Sequence, residues 1–82
     1  MELKDLETAH IKKIGIKQSL KVITSGNAKA LFIAKDAEQH VVRSILRLAE
    51  DKNVLIVYVE DMLTLGKACN IDVGAATAVI VK

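Results

Sequence analysis

Ala30-Leu31-Phe32-Ile33-Ala34, bounded by Lys29 and Lys35, is the stretch whose reading decides the fold. Five consecutive apolar residues without polar alternation describe a short strand covered on both faces. Val54 to Val59 is a second such run, rich in β-branched residues, and is likewise expected to have no water-facing side. Thr77-Ala78-Val79-Ile80-Val81 is a third. Between the first two runs, Val41, Val42, Ile45, Leu46 and Ala49 recur at helical spacing, with Arg43, Arg47 and Glu50 on the opposite face. Asp36, three residues before Gln39, is the expected N-cap of that helix, and Asn53 its end.

Working outward, Asp61 is expected to cap a short helix running to about Cys69, closed by Asn70. Leu3, Leu6 and Ala9 or His10 mark a first amphipathic helix that ends before Gly15. Ile16, Leu20 and Ile23 fall at i, i+4 and i+7 and predict the core face of a second, which Gly26-Asn27 stops. Helices alternating with buried strands argue for an α/β domain of three layers, α/β/α, with the sheet in the middle.

The bulk numbers limit the classes of function. Eighty-two residues without proline or a Ser/Gly-rich linker predict one domain, 1–82. One cysteine excludes an internal disulfide and a zinc finger, and fits a reducing compartment. Phe32 and Tyr58 are the only aromatic residues, which disfavours base stacking on aromatic platforms. No run approaches the roughly 18–20 apolar residues of a membrane span. Glu2, Lys4, Asp5 and Glu7 interrupt any signal-peptide core. A cytoplasmic monomer without cofactor or metal is the expectation.

Charge is distributed unevenly. From Thr8 to Lys35 the chain has six lysines (12, 13, 17, 21, 29 and 35) and no acidic residue, while its overall charge is +2, so the rest sums to −4. Lys17, Gln18 and Lys21 follow Gly15 within about the first turn of the second helix. A helix N-terminus favours anions and repels lysines, so this placement points to a polyanion. An ordinary solvated face is the alternative.

The loop Ile71-Asp72-Val73-Gly74-Ala75-Ala76 is apolar where polar residues are usual, and Gly74 would allow close approach by a ligand; on spacing alone a tight turn into a buried strand is the preferred explanation. His10 and His40 have no partner at ligand spacing, and no Cys-His-Asp pattern surrounds Cys69. Asp36/Glu38 and Glu60/Asp61 suit helix starts better than acid–base catalysis. Leu65-Gly66-Lys67 lacks the spacing of a P-loop. No catalytic set emerges.

Four segments occur in an ordered pattern: Gly15-Ile16-Lys17-Gln18-Ser19-Leu20-Lys21, Leu31-Phe32-Ile33-Ala34-Lys35-Asp36, Leu65-Gly66-Lys67-Ala68-Cys69 and Ile71-Asp72-Val73-Gly74-Ala75-Ala76. Together they resemble the kink-turn RNA-binding ribosomal protein family, named for archaeal large-subunit protein L-seven-Ae, and most of all its small bacterial YbxF-type members. The resemblance implies a four-stranded mixed sheet and no enzymatic activity. It implies structured RNA as the partner, a sharply bent internal loop with tandem G·A pairs, in ribosomal RNA or an mRNA leader. By that pattern Gly15 lets the backbone approach the RNA, Lys17 and Gln18 reach guanine edges, and Lys21 and Lys35 lie near bases or phosphates. Val73, Gly74, Ala75 and Ala76 pack on the extruded nucleotides. A distorted site is what a protein needs to reach RNA base edges, which regular A-form duplex hides.

Two positions depart from the family pattern. Archaeal and eukaryotic members usually carry Asn-Glu where this chain has Lys17-Gln18, so a neutral acceptor replaces a carboxylate. Gly74 stands where many relatives have proline. Two other functions remain open on the sequence: a protein-docking module using the apolar loop without RNA, and an accessory domain of an RNA-modifying enzyme.

Overall fold

The run around Phe32 is the middle of a longer strand. The computed structural model describes residues 1–82 as α1 (Leu3–Thr8), β1 (Lys12–Ile14), α2 (Ile16–Thr24), β2 (Ala28–Ala34), α3 (Gln39–Asp51), β3 (Leu55–Val59), α4 (Met62–Ala68) and β4 (Thr77–Val81). The strands form one sheet in the order β1-β4-β2-β3. β2 pairs in parallel with β3, from Ala30↔Leu55 to Ala34↔Val59, and antiparallel with β4, from Ala28↔Val81 to Ile33↔Thr77. β1 pairs antiparallel with β4. α2 packs against α3 and α1 against α4, giving the outer layers of an α/β/α sandwich around a mixed four-stranded sheet.

Six of the seven residues of β2 are buried, which is why its sequence shows no alternation. Leu31, Phe32, Leu6, Ile23, Ile45, Leu65 and Val79 are fully enclosed. Each such side chain stabilises the fold by roughly 1.5–3 kcal/mol. Helix ends follow the expected residues: Gly26 (φ 81°), Asn53 (φ 58°) and Asn70 (φ 64°) adopt the left-handed conformation that stops a helix.

Three expectations need correction. α1 stops at Thr8, and Lys12-Lys13-Ile14 forms an edge strand that helical periodicity had absorbed. Val54–Val59 is not covered on both faces: β3 is the other edge, and Leu55 and Tyr58 are 50% and 56% exposed. Asp36 does not cap α3, whose N-cap is Glu38 without a side-chain cap bond. Instead the backbone N–H of Met62 donates to Asp36 Oδ1 at 2.8 Å, so Asp36 serves the start of α4. The core face of α2 is as expected, with Ile23 buried and Ile16 and Leu20 half-buried against the core; Ser19 joins them there.

Asp61 caps α4 as expected, accepting from the Thr64 N–H at 2.7 Å. That bond holds its carboxyl below its ordinary value of 3.8. A depressed carboxylate stabilises the fold above its unfolded value and loses that contribution as pH falls through the folded one. The melting temperature of Asp61→Asn should therefore lie below that of the parent at about pH 6, with the gap closing as pH drops below 3.8. Thermal melts of both proteins across that range test it, and a gap independent of pH would remove the charge from the account.

Candidate nucleic-acid interface

One edge of the sheet collects most of the singled-out residues. β1, β2 and β3 end there and β4 begins there, because Ile14 lies opposite Ala78, Ile33 opposite Thr77 and Ala34 opposite Val59. α2, α3 and α4 therefore all start at this edge. Backbone hydrogen bonds tie the connecting segments together. Ala34 N–H donates to the Ala76 carbonyl (2.9 Å), Lys35 N–H to that of Val59 (2.8 Å) and Ala75 N–H to that of Met62 (3.0 Å).

Thr77 joins the basic helix to the aliphatic loop. The Gly15 N–H donates to the Thr77 carbonyl at 2.9 Å, and the Ser19 and Thr77 hydroxyls bond at 3.1 Å inside the core. Both side chains are fully enclosed, so each hydroxyl depends on the other. Gly15 is the N-cap of α2 at φ 97°, ψ 161°, a conformation essentially reserved for glycine, and the space beside its Cα is open. Ser19 N–H donates to the Gly15 carbonyl. The preceding N–H groups, of Ile16, Lys17 and Gln18, have no intrahelical acceptor and give this end its positive potential.

The loop before β4 is held from behind. A Cβ at Gly66 of α4 would fall on the Val73 carbonyl, and one at Gly74 would lie 3.1 Å from Met62 Cβ. Gly74 thus serves packing of the loop against α4, and the side on which a side chain would stand faces inward. Val73 is 66% exposed, Ala76 half-buried and Ala75 buried. Leu63, 55% exposed on α4, adds a second aliphatic side chain that the sequence reading did not single out.

The lysines divide. Lys17, Gln18 and Lys21 are exposed on α2, and neither lysine has a carboxylate within ion-pair distance. Lys35 reaches this edge but pairs with Glu60 at 3.4 Å, an exposed bridge of small energy. Lys12 belongs elsewhere: its Nζ donates to the carbonyls of Leu6 and Glu7, satisfying the C-terminal end of α1. Lys29 lies at the far edge, beside a cleft of about 440 Å³ that includes His10 and Lys82. The acid-free stretch in the sequence therefore contributes only part of its charge to this surface. Burial raises the Cys69 thiol above its ordinary value, which makes it a packed residue rather than a nucleophile.

Residues 2–82 match the Ribosomal protein L7Ae/L30e/S12e/Gadd45 family. The chain belongs to this family. It is 49% identical over 65 residues to an RNA-binding protein of Caldanaerobacter subterraneus subsp. tengcongensis, covering 79% of each chain. RNA-binding protein YbxF of Geobacillus stearothermophilus is 36% identical over 69 residues, 84% of each chain. The large ribosomal subunit protein eL8 of Halobacterium salinarum is also 36% identical, over 92% of this chain and 62% of that one. Among solved structures, the 15.5kD RNA binding protein of Giardia lamblia superposes with a TM-score of 0.86 at 32% identity, covering 98% of this chain and 68% of that one. The family resemblance and the four-stranded mixed sheet expected from the sequence are both found. Residues Ser19 and Thr77, which hold the site together, had one signal in the sequence: a serine four residues before Ile23, on the face that must enter the core.

Proposed function

We propose that this protein is a non-enzymatic, cytoplasmic RNA-binding protein that recognises kink-turn RNA as a single domain and a monomer, in ribosomal RNA or an mRNA leader. The observation that carries this reading is the Gly15–Thr77 link, which sets a cationic helix start and an aliphatic loop side by side. Gly15 leaves room for a phosphate or base edge at the unpaired N–H groups. In this reading Lys17 and Gln18 contact guanine edges of the G·A pairs, and Lys21 and Lys35 lie near the backbone. Val73, Gly74, Ala75 and Ala76 support the extruded nucleotides without an aromatic ring. The names of its relatives support the RNA partner.

The test is titration of a kink-turn RNA against the same RNA with Watson–Crick pairs in place of its G·A pairs, at two salt concentrations. Preference for the kinked RNA supports the proposal. Equal, salt-sensitive binding would leave only a general basic surface, and no binding would favour docking to a protein. Gln18→Ala and Lys21→Ala should each weaken binding of the kinked RNA by about 1–3 kcal/mol if the contact is to a base edge. A Lys21 contact to phosphate would instead lower the salt slope by about 0.7–0.9 for both RNAs.

A further inference from the structure

α3 carries a second row of unpaired cations. His40, Arg43, Ser44 and Arg47 line a shallow groove of about 240 Å³ on its outer face, with no apolar side chain among them. Glu50 and Asp51 stand three and four residues beyond Arg47, at the spacing of helical ion pairs. Yet the only lysine or arginine paired with a carboxylate is Lys35, with Glu60, while His40 Nε2 lies 3.2 Å from Glu38, so both guanidinium groups are free. Arg43 and Arg47 are themselves one turn apart, where like charges repel. This arrangement weakens an isolated helix and is suited to an external anion.

The fold places this row beside the first. α2 and α3 start at the same edge of the sheet, run the same way from it and pack against each other in one layer. Packed helix axes lie about 8–10 Å apart. Lys17 and Lys21 thus form one cationic row and Arg43 and Arg47 another, both on the outer surface of that layer. Guanidinium groups are weakly hydrated and bind phosphate oxygens in bidentate fashion.

We propose that Arg43 and Arg47 bind backbone phosphates of a duplex stem flanking the bent internal loop, so that the protein grips its RNA beyond the primary site. This rests on the kink-turn reading given above. A polyanion fits better than a protein partner, because no hydrophobic residue lines the groove and its two arginines have no carboxylate partner. Phosphate contacts of this kind position an RNA without reading its sequence.

The experiment compares a kink-turn RNA with minimal stems to versions in which each stem in turn is lengthened by about ten base pairs. Binding to the parent protein and to the double variant Arg43→Gln/Arg47→Gln is titrated between 50 and 200 mM salt. One lengthened RNA should bind the parent more tightly, with a salt slope steeper by about 1.4–1.8 for two phosphates. Over that fourfold salt range it should lose about tenfold more affinity than the short RNA. The double variant should bind the short RNA like the parent, which also reports its folding, and should show no gain from either extension. No gain for the parent would overturn the proposal while leaving the primary site intact. An equal loss on short and long RNAs would also overturn it. Failure of the short RNA to outcompete its Watson–Crick control would instead overturn the kink-turn reading itself.

Discussion

Gly66→Ala should destabilise the protein by about 1–2 kcal/mol, although alanine is the better helix former. Replacing glycine inside a helix stabilises by about 1 kcal/mol on propensity alone. Here the new methyl would fall on the Val73 carbonyl oxygen, and Val73 Cα's neighbour Gly74 is close behind it. The obstruction is backbone, so no rotamer change relieves it. α4 and the loop must separate, and overpacking of this kind costs about 1–3 kcal/mol, occasionally more. The steric term therefore wins. Urea denaturation measures it, and the same variant should lose affinity for the kinked RNA in excess of its effect on the Watson–Crick control. A Gly66→Ala protein as stable as the parent would mean that the loop is not packed on α4 as described.

The second expected result concerns the enclosed hydroxyl pair. Thr77→Val leaves the Ser19 hydroxyl without its partner, and Ser19→Ala does the same to Thr77. Each should cost about 1–3 kcal/mol, because a buried donor or acceptor loses its hydrogen bond while remaining out of water. The double variant should cost much less than the two singles together, since neither hydroxyl remains. Thr77→Ser should restore most of the stability. In RNA titrations the single variants should blur the preference for the kinked RNA, because α2 and the loop are no longer held in register. A negligible loss in Thr77→Val would indicate that Ser19 turns its hydroxyl onto the Gly15 carbonyl, one turn back.

The parts of the fold legible in the sequence are those governed by local chemistry. The run Ala30–Ala34 reads as a buried strand because both its faces are covered, and Asn53, Asn70 and Asp61 act where their side chains make them suitable. β1 was hidden because Lys12 and Lys13 occupy two of its three positions, and an edge strand tolerates them. Asp36 was misassigned for a different reason. Its carboxylate reaches Met62, 26 positions along the chain, where no spacing rule looks. The family pattern supplied the segments around Gly15 and Val73, but not the hydroxyl pair that joins them. The reason for Gly74 likewise differs: its bare Cα accommodates Met62. Periodicity placed the core face of α2 through Ile16, Leu20 and Ile23 but passed over Ser19, because a serine in the core looks like a polar interruption.

The order of the strands has a consequence for synthesis. β1 pairs only with β4, and β4 lies between β1 and β2, so the strand made last is the one that joins the sheet together. Until residues 77–81 have left the ribosomal tunnel, β1 has no partner and Thr77 is not available to Gly15 or Ser19. Before β4 is in place, α2 and the loop of residues 71–76 stay unjoined. Closing the sheet with β4 is therefore the same event that joins α2 to the loop before β4.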